Sequence, residues 1–517
     1  WNLRVSKMRL TLILLPLLFI QGYCNEIQDE ESQLHHAEEN VSKMNKLLAR
    51  WNRLHPATYP PLPADIQATI DAYVREQKAT NPTHSKTEIG LAEADKFIEG
   101  DIIPSDQDIA DMEETLREDS SEHSRAKRAA SSKEAKNWPI NEPIPFRISD
   151  DYTLNQKELI IAALKTIQEN TCIDFEENFD SRAKMSFLPG KSCASYLGDM
   201  RNTSLGWDHV VELAYPCMHT FIIQHETMHA LGFGHTASRS DRADYMYFNS
   251  DAVRRTERAK YQFRVFTPDK FDNHSMPYEY NSVMHYKSTK GSIDRKTPVL
   301  IPKKQEYIAS VGGQHGPTFN DWKAINIRYN CTARNCDKKL KCQNNGYQHP
   351  RNCSRCACPT FHTGTFCENE LNAIDLHPGD EPKSMNFERR MTKNRQEEAD
   401  FTEYVKELHV ITAPPGQKIR ITLGKIQPEL KFDCVRECYK SAVEIVVEDL
   451  TLVGMRFCCS RNESHSFVSK TNIVGYKVYS APGIRFSSRV TFSIEHSIVE
   501  RPTTVPTTDA STATTET

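Results

Sequence analysis

The segment HETMHALGFGH, His225 to His235, carries the residue types of metal-assisted hydrolysis at the spacing that chemistry requires. In a helix, side chains four apart share a face, so His225 and His229 project together with Glu226 one step round beside them. That makes two metal ligands and a base. Gly232, free of a Cβ, can take the left-handed backbone of a helix end and let the chain swing His235 back as a third ligand. Three neutral imidazoles leave a zinc ion one open position for water and lower that water's pKa toward about 7, while Glu226 is placed to take the proton as general base. The helix itself is expected to set Phe221, Ile222, Met228 and Leu231 against a core. For His219, His274 and His315 the expected role is ordinary packing.

Ligands at this spacing need a floor beneath them, and YEYNSVMHY, Tyr278 to Tyr286, has the form of a Met-turn with Ser282, Met284 and Tyr286. Together the long zinc motif and this turn resemble the astacin family of zinc endopeptidases, within the metzincins. The likeness runs from Ala129 to Cys331 and takes in Trp138-Pro139, Ile144-Pro145-Phe146, the SCASYLG segment around Cys193 and the closing DWKAINIRYNC. It implies one zinc per catalytic domain, held by His225, His229 and His235. Tyr286 is implied as a further ligand at rest that swings to hydrogen-bond the oxyanion, and Met284 as packing under the metal. Of the three ways to pair four cysteines, the resemblance selects Cys172 with Cys331 and Cys193 with Cys217. The chain departs from the family at two places. Thr236 stands where astacins have the glutamate that receives the new N-terminus. Val311-Gly312-Gly313-Gln314-His315 lacks the arginine that favours an acidic residue after the scissile bond.

Around these residues, Asn155 to Asn170 reads as an amphipathic helix, with Leu159, Ile160, Ala163, Leu164 and Ile167 at helical spacing. Lys184 to Phe187 and His209 to Leu213 read as strands. The expected class is α+β, with a zinc helix lining an active-site cleft.

The 517 residues are too many for one core. The net charge of -4 is small, and no basic run argues for nucleic acid. Fifteen cysteines and sequons at Asn40, Asn202, Asn273, Asn330, Asn352 and Asn462 argue for an oxidising, secretory route with N-glycosylation. Met8-Arg9 ahead of the apolar run Leu10 to Ile20, with small residues at Gly22-Tyr23-Cys24, reads as a signal peptide over 1-24, with Met8 as the initiator. That run is too short for a stable membrane span, and no other stretch qualifies. Cleavage after Cys24 leaves an even number of cysteines.

Residues 25-128, polar and without cysteine, suit a propeptide. It ends in Arg125-Ala126-Lys127-Arg128, a site for a convertase-type activating protease. Within it, Ile98-Glu99-Gly100-Asp101-Ile102 resembles the family's F-x-G-D switch, which makes Asp101 the candidate zymogen zinc ligand. The catalytic domain is expected at 129-331. Six cysteines over 332-370 resemble an EGF-like module, implying Cys336-Cys353, Cys342-Cys356 and Cys358-Cys367; a segment this small needs disulfides to hold it. After a charged linker near Glu381 to Asp400, alternation over Lys418 to Leu423, Val443 to Val447 and Arg489 to Ile494 suggests a β-sandwich that resembles a CUB domain, 371-497 overall. The pairing of Cys434, Cys438, Cys458 and Cys459 is open. A Thr-rich disordered tail is expected at 498-517.

The resulting expectation is a secreted zinc-dependent endopeptidase made as a zymogen, acting on extracellular or matrix proteins. The alternative is a catalytically inactive adhesion protein using its EGF-like and CUB-like modules. The intact histidines, Glu226 and Tyr286 favour the enzyme.

Overall fold

The structure, a computed structural model, describes residues 30–51, 53–54, 61–80, 97–118, 137–202, 206–253, 262–266, 273–389, 404–428, 434, 437–459 and 465–495. The expected signal peptide, the Arg128 site, Ala129, Asn462 and the Thr-rich tail lie outside these residues. Among the described residues no helix is long and apolar enough to cross a membrane.

The first domain is built on a six-stranded sheet. Its strands are β1 (Ile102–Ile103), β2 (Ile144–Ile148), β3 (Phe175–Glu177), β4 (Met185–Leu188), β5 (Cys193–Tyr196) and β6 (His209–Leu213), in the order β1-β5-β6-β4-β2-β3. Three helices carry the N-terminal segment: α1 (30–51), α2 (Ala64–Thr80) and α3 (Asp106–Glu118). The next, α4 (Leu154–Asn170), begins at a capping box in which Thr153 and Gln156 satisfy each other's backbone N–H. It buries Ile160, Ala163, Leu164 and Ile167 in one core with Phe187, Val211, Ile223, Met228 and Leu231. Ile223, from α5 (Thr220–Ala230), is fully buried, whereas Phe221 is only half-buried. Met228 and Leu231 thus lie in the core and Ile222 packs against it, as expected, while of the four expected residues Phe221 does not join that cluster.

The N-terminal segment is no separate domain; it is folded onto this sheet. Ala37 and Val41 of α1 pack with Leu188, Ala194 and Val210, and Met44 and Leu48 with Ile98, Ile102 and Ile109. Glu30 meets Arg147 at 3.0 Å, and Ile66 and Ile70 of α2 pack on Ile301. This corrects the glycosylation expectation at Asn40: its side chain is fully buried and donates to Asp106 at 3.1 Å, so docking the segment withdraws that amide from solvent. Asn202, Asn330 and Asn352 are exposed, and Asn273 is half-buried.

A short antiparallel pair, β7 (Met246–Phe248) with β8 (Leu300–Pro302), follows, then α6 (Phe319–Arg328). The disulfide Cys172–Cys331 joins the end of α4 to the segment after α6, across 159 residues, and Cys193–Cys217 joins β5 to the turn before α5. Replacing Cys172 and Cys331 together by serine should lower unfolding free energy by about 2–5 kcal/mol, measured by urea unfolding of the full chain, since closing so long a loop mainly restricts the unfolded state. A loss under about 1 kcal/mol would be incompatible with that role.

Next comes a three-disulfide module, Cys336–Cys353, Cys342–Cys356 and Cys358–Cys367, with the small strand pairs β9 (Tyr347–Gln348) and β10 (Cys356–Ala357), β11 (His362–Thr363) and β12 (Asn369–Glu370). Arg351 ties it to the first domain, donating to the carbonyls of Thr171 at 2.8 Å and Ile173 at 2.9 Å. On its other side Phe361 is fully buried against Val410 and Val446.

The last part is a sandwich. One sheet holds β13 (Ala373–Asp375), β15 (Val405–Thr412), β20 (Ile473–Ser480), β17 (Ser441–Val446) and β18 (Met455–Phe457); the other holds β14 (Lys383–Arg389), β21 (Phe486–Glu495), β16 (Lys418–Pro428) and β19 (His465–Val468). Inward residues such as Ile419, Ile421, Val443, Ile445, Tyr476 and Phe492 fill the space between them. The expected linker from Glu381 is partly strand: β14 pairs with β21, packing Met385 and Phe387 on the sandwich core while Asn386 and Glu388 between and beyond them face outward, a period-2 pattern that the polar residues disguise. The open pairing is Cys434–Cys459 and Cys438–Cys458.

Candidate metal centre

His225 and His229 lie on the last two turns of α5, which the chain leaves at Gly232 with φ of 95°, the left-handed region that favours glycine. A Cβ there would also lie 2.5 Å from the Arg328 guanidinium. The reversal brings His235 back, so that the three ring centroids stand 4.6, 5.3 and 4.6 Å apart.

Each ring is oriented through its Nδ1. His225 donates to the carbonyl of Val283 at 2.7 Å, His229 to that of Phe233 at 2.7 Å, and His235 to a carboxylate oxygen of Glu99 at 2.8 Å. These partners can only accept, so each ring carries a proton on Nδ1 and, when neutral, presents a bare lone pair at Nε2. Burial would lower His235, but Asp101 and Glu99 raise it to about 9, so without a metal ion this ring also holds a proton at Nε2. The lone pairs face one another: His225 Nε2 and His229 Nε2 are 3.1 Å apart. Asp101 adds its carboxylate, with Oδ1 3.1 Å from His235 Nε2 and 3.6 Å from His229 Nε2, and Oδ2 3.6 Å from His225 Nε2. The four ligand atoms all lie within 4.8 Å of each other. Buried Asp101 Oδ1 and His235 Nε2 find no hydrogen-bond partner. Acceptors turned on acceptors in a buried place repel unless a cation sits among them, and nitrogen with carboxylate oxygen is a donor set that suits zinc. The residues fit that ion.

Burial would raise the Asp101 carboxyl, but His235 and Lys290 hold it well below the usual carboxylate range; Lys290 Nζ is 4.0 Å from Oδ2. Burial holds His229 down at about 4, so this ring is neutral and free to ligate. Glu226 is 2 % exposed, and burial first, then the charge of Asp101, push its carboxyl well above the ordinary value. Its Oε2 is unpartnered, as expected of a base with no structural bond to keep.

Met284 is buried in the core with Met228 and Phe233, and its carbonyl accepts from the N–H of Thr236 at 2.9 Å. Tyr286 departs from the resting-ligand expectation. Its hydroxyl donates to the carbonyl of Glu99 at 2.5 Å and lies 3.2 Å from His235 Nδ1, on the side of the ring away from the ligand atoms. The N-terminal segment thus engages it. His315 is not gathered here either; it packs against Tyr404 and Tyr479, with Arg456 donating to its Nδ1 at 3.2 Å.

Two residues at the centre escaped the sequence reading. Glu99, fully buried with φ of 54°, bonds both a ligand histidine and Tyr286; its place two before Asp101 was the available signal. Lys290 had none, since only the fold brings it to Asp101. Alongside the centre, β1 forms the edge of the sheet and pairs in parallel with β5, Ile102 opposite Ser195.

The family model for Astacin, a peptidase family, matches residues 130–330. The chain is 29% identical over 437 residues to zinc metalloproteinase dpy-31 of Brugia malayi, covering 82% of this chain and 69% of that protein. With zinc metalloproteinase nas-23 of Caenorhabditis elegans it is 29% identical over 399 residues, covering 76% and 71%. Among solved structures it is similar to high choriolytic enzyme 1, a hatching enzyme zinc-protease from Oryzias latipes, with 29% identity, a TM-score of 0.33, and coverage of 36% of this chain and 88% of that one. With three histidines converging on one point inside the matched region, residues 130–330 are an astacin peptidase domain, and the chain is a zinc metalloproteinase like the relatives it resembles.

Proposed function

We propose that this protein is a secreted endopeptidase made as a zymogen, with 1-24 as signal peptide and 25-128 as the propeptide removed after Arg128 by a convertase-type protease. The catalytic domain is 129-331, followed by an EGF-like module, a CUB-like sandwich and a Thr-rich tail. Its substrates are extracellular or matrix proteins. The observation that carries the reading is the meeting of three Nε2 lone pairs and one propeptide carboxylate at a single buried point.

His225, His229 and His235 would hold the zinc, with Asp101 as fourth ligand while the propeptide remains. When bound, zinc supplies Lewis-acid chemistry, polarising a carbonyl and making water acidic near neutral pH. Glu226 takes a proton at its free carboxylate oxygen as water attacks the scissile carbonyl, and hands it to the departing amine. Tyr286, freed from the Glu99 carbonyl once the propeptide leaves, donates its hydroxyl hydrogen bond to the developing oxyanion. The edge of β5, freed of β1, offers backbone groups to an extended substrate. Asn202, Asn273, Asn330 and Asn352 are the proposed glycan acceptors.

The test is to express the full chain in a secretory host, measure its metal, and read the termini of both the enzyme and the peptides it cuts. One zinc per chain, a mature start at Ala129 and internal cleavage of protein substrates are expected. Zinc-loaded, correctly processed protein that cuts nothing would favour the adhesion alternative.

A further inference from the structure

The sandwich does more than follow the first domain; it grips the turn under the metal. Arg456 of β18, 3 % exposed, spreads its guanidinium over three acceptors. Nε donates to Glu444 Oε2 at 2.9 Å, Nη2 to Asn281 Oδ1 at 2.8 Å, and Nη1 to His315 Nδ1 at 3.2 Å. Burial, then the charge of Arg456, keep His315 neutral and able to accept. The other end of the Asn281 amide donates to the Ser310 carbonyl at 3.0 Å. The same stretch of sandwich adds Val453 N–H to Glu279 at 3.0 Å, Arg456 N–H to Ser310 Oγ at 3.1 Å, and the Gly454 carbonyl accepting from Ser310 Oγ at 2.9 Å.

Asn281 stands two residues before Val283, whose carbonyl fixes the ring of His225. From the domain's own side, Asp321 holds the turn by accepting from Ser282 Oγ at 2.6 Å and from Val283 N–H at 3.0 Å. The turn is thus clamped from both sides, one of them belonging to a different domain. Burying the Arg456–Glu444 pair, each side chain 2 % exposed, costs desolvation that a hydrocarbon joint would avoid. What hydrocarbon cannot provide is a directional hold on one amide oxygen. A planar fork reaching Glu444 and Asn281 at once is a task for arginine and not for lysine.

We propose that Arg456 is a positioning residue for the zinc ligand His225, acting through Asn281 and the Val283 carbonyl, so that the sandwich is part of the metal centre's frame. This rests on the zinc-peptidase reading above.

The test uses the full-length chain, zinc-loaded and then processed, in Arg456→Lys, Asn281→Ala and the double variant. Lysine keeps the charge beside Glu444 while losing the reach to Asn281, and Asn281→Ala leaves the ion pair intact. Zinc retention against a chelator, kcat, KM and thermal unfolding are measured. Partners outside the ligand shell are commonly worth ten- to a hundredfold in metal affinity or activity. Each single variant should hold zinc about tenfold less tightly, with kcat lowered in parallel and KM within about twofold. The double variant should be no worse than Asn281→Ala alone, since both cut one path. Folded variants with wild-type zinc retention and kcat overturn the proposal; should Arg456→Lys fail to fold, Asn281→Ala decides alone. A wild-type chain that takes up no zinc sinks the metal reading instead, which is a separate result.

Discussion

Glu226→Gln should lower kcat of the processed enzyme by about 10² to 10⁴, the range over which a positioned general base acts, with KM little changed and zinc content intact. Glutamine keeps the volume of a side chain that is 2 % exposed, so no cavity opens in the core. It removes only the ability to take a proton. Zinc should stay because the ligand atoms that remain after processing belong to His225, His229 and His235, not to Glu226. The measurement is kcat and KM on a peptide substrate beside metal analysis of the same preparation. A variant within a few-fold of wild type would show that another group carries the proton, and loss of zinc would show that Glu226 supports the ligands instead.

The second large effect concerns latency. In a chain kept whole by Arg128→Ala, adding Asp101→Ala should raise cleavage of short peptides about ten- to a hundredfold, the free energy of a charge-assisted contact, while long protein substrates stay poorly cut. The two halves of this expectation come from different observations. Asp101 sets its oxygens 3.1–3.6 Å from all three Nε2 atoms, so removing it opens the metal position itself. Yet β1 still covers the edge of β5, and Glu99 still holds the Tyr286 hydroxyl. A short peptide needs little of that edge; an extended protein segment needs more. Equal activation toward both substrates would mean that the strand pairing is no barrier. Silence toward both, in zinc-loaded protein, would mean that Asp101 is not what blocks the centre.

The metal centre was legible because its core is local. His225, Glu226 and His229 are related by one turn of a helix, and the reversal to His235 depends on a single glycine. The amphipathic pattern of α4 was equally plain, since Ile160, Ala163, Leu164 and Ile167 repeat at helical spacing and are buried as such. Errors arose where a charge pattern looked like solvent. The stretch from Glu381 reads as a linker, but Met385 and Phe387 of β14 pack on the sandwich core, with polar Asn386 and charged Glu388 on either side of Phe387. The N-terminal segment reads as a propeptide from its polarity, and that polarity hides a thin apolar stripe, Ala37, Val41, Met44 and Leu48, whose partners lie partly in the same segment and partly on the sheet of the next.

What the chain alone determined is the chemistry: which nitrogens could hold zinc and which carboxylate could move a proton. Those follow from residue type and spacings of a few positions, where helix geometry and a glycine's freedom leave little choice. Tertiary structure alone decided who surrounds them. Glu99 on His235, Tyr286 drawn to the Glu99 carbonyl, and Arg456 reaching 175 residues along the chain to Asn281 are pairings across long separations. No periodicity records such pairings, because they arise from the packing of whole elements and each residue would be unremarkable without its partner.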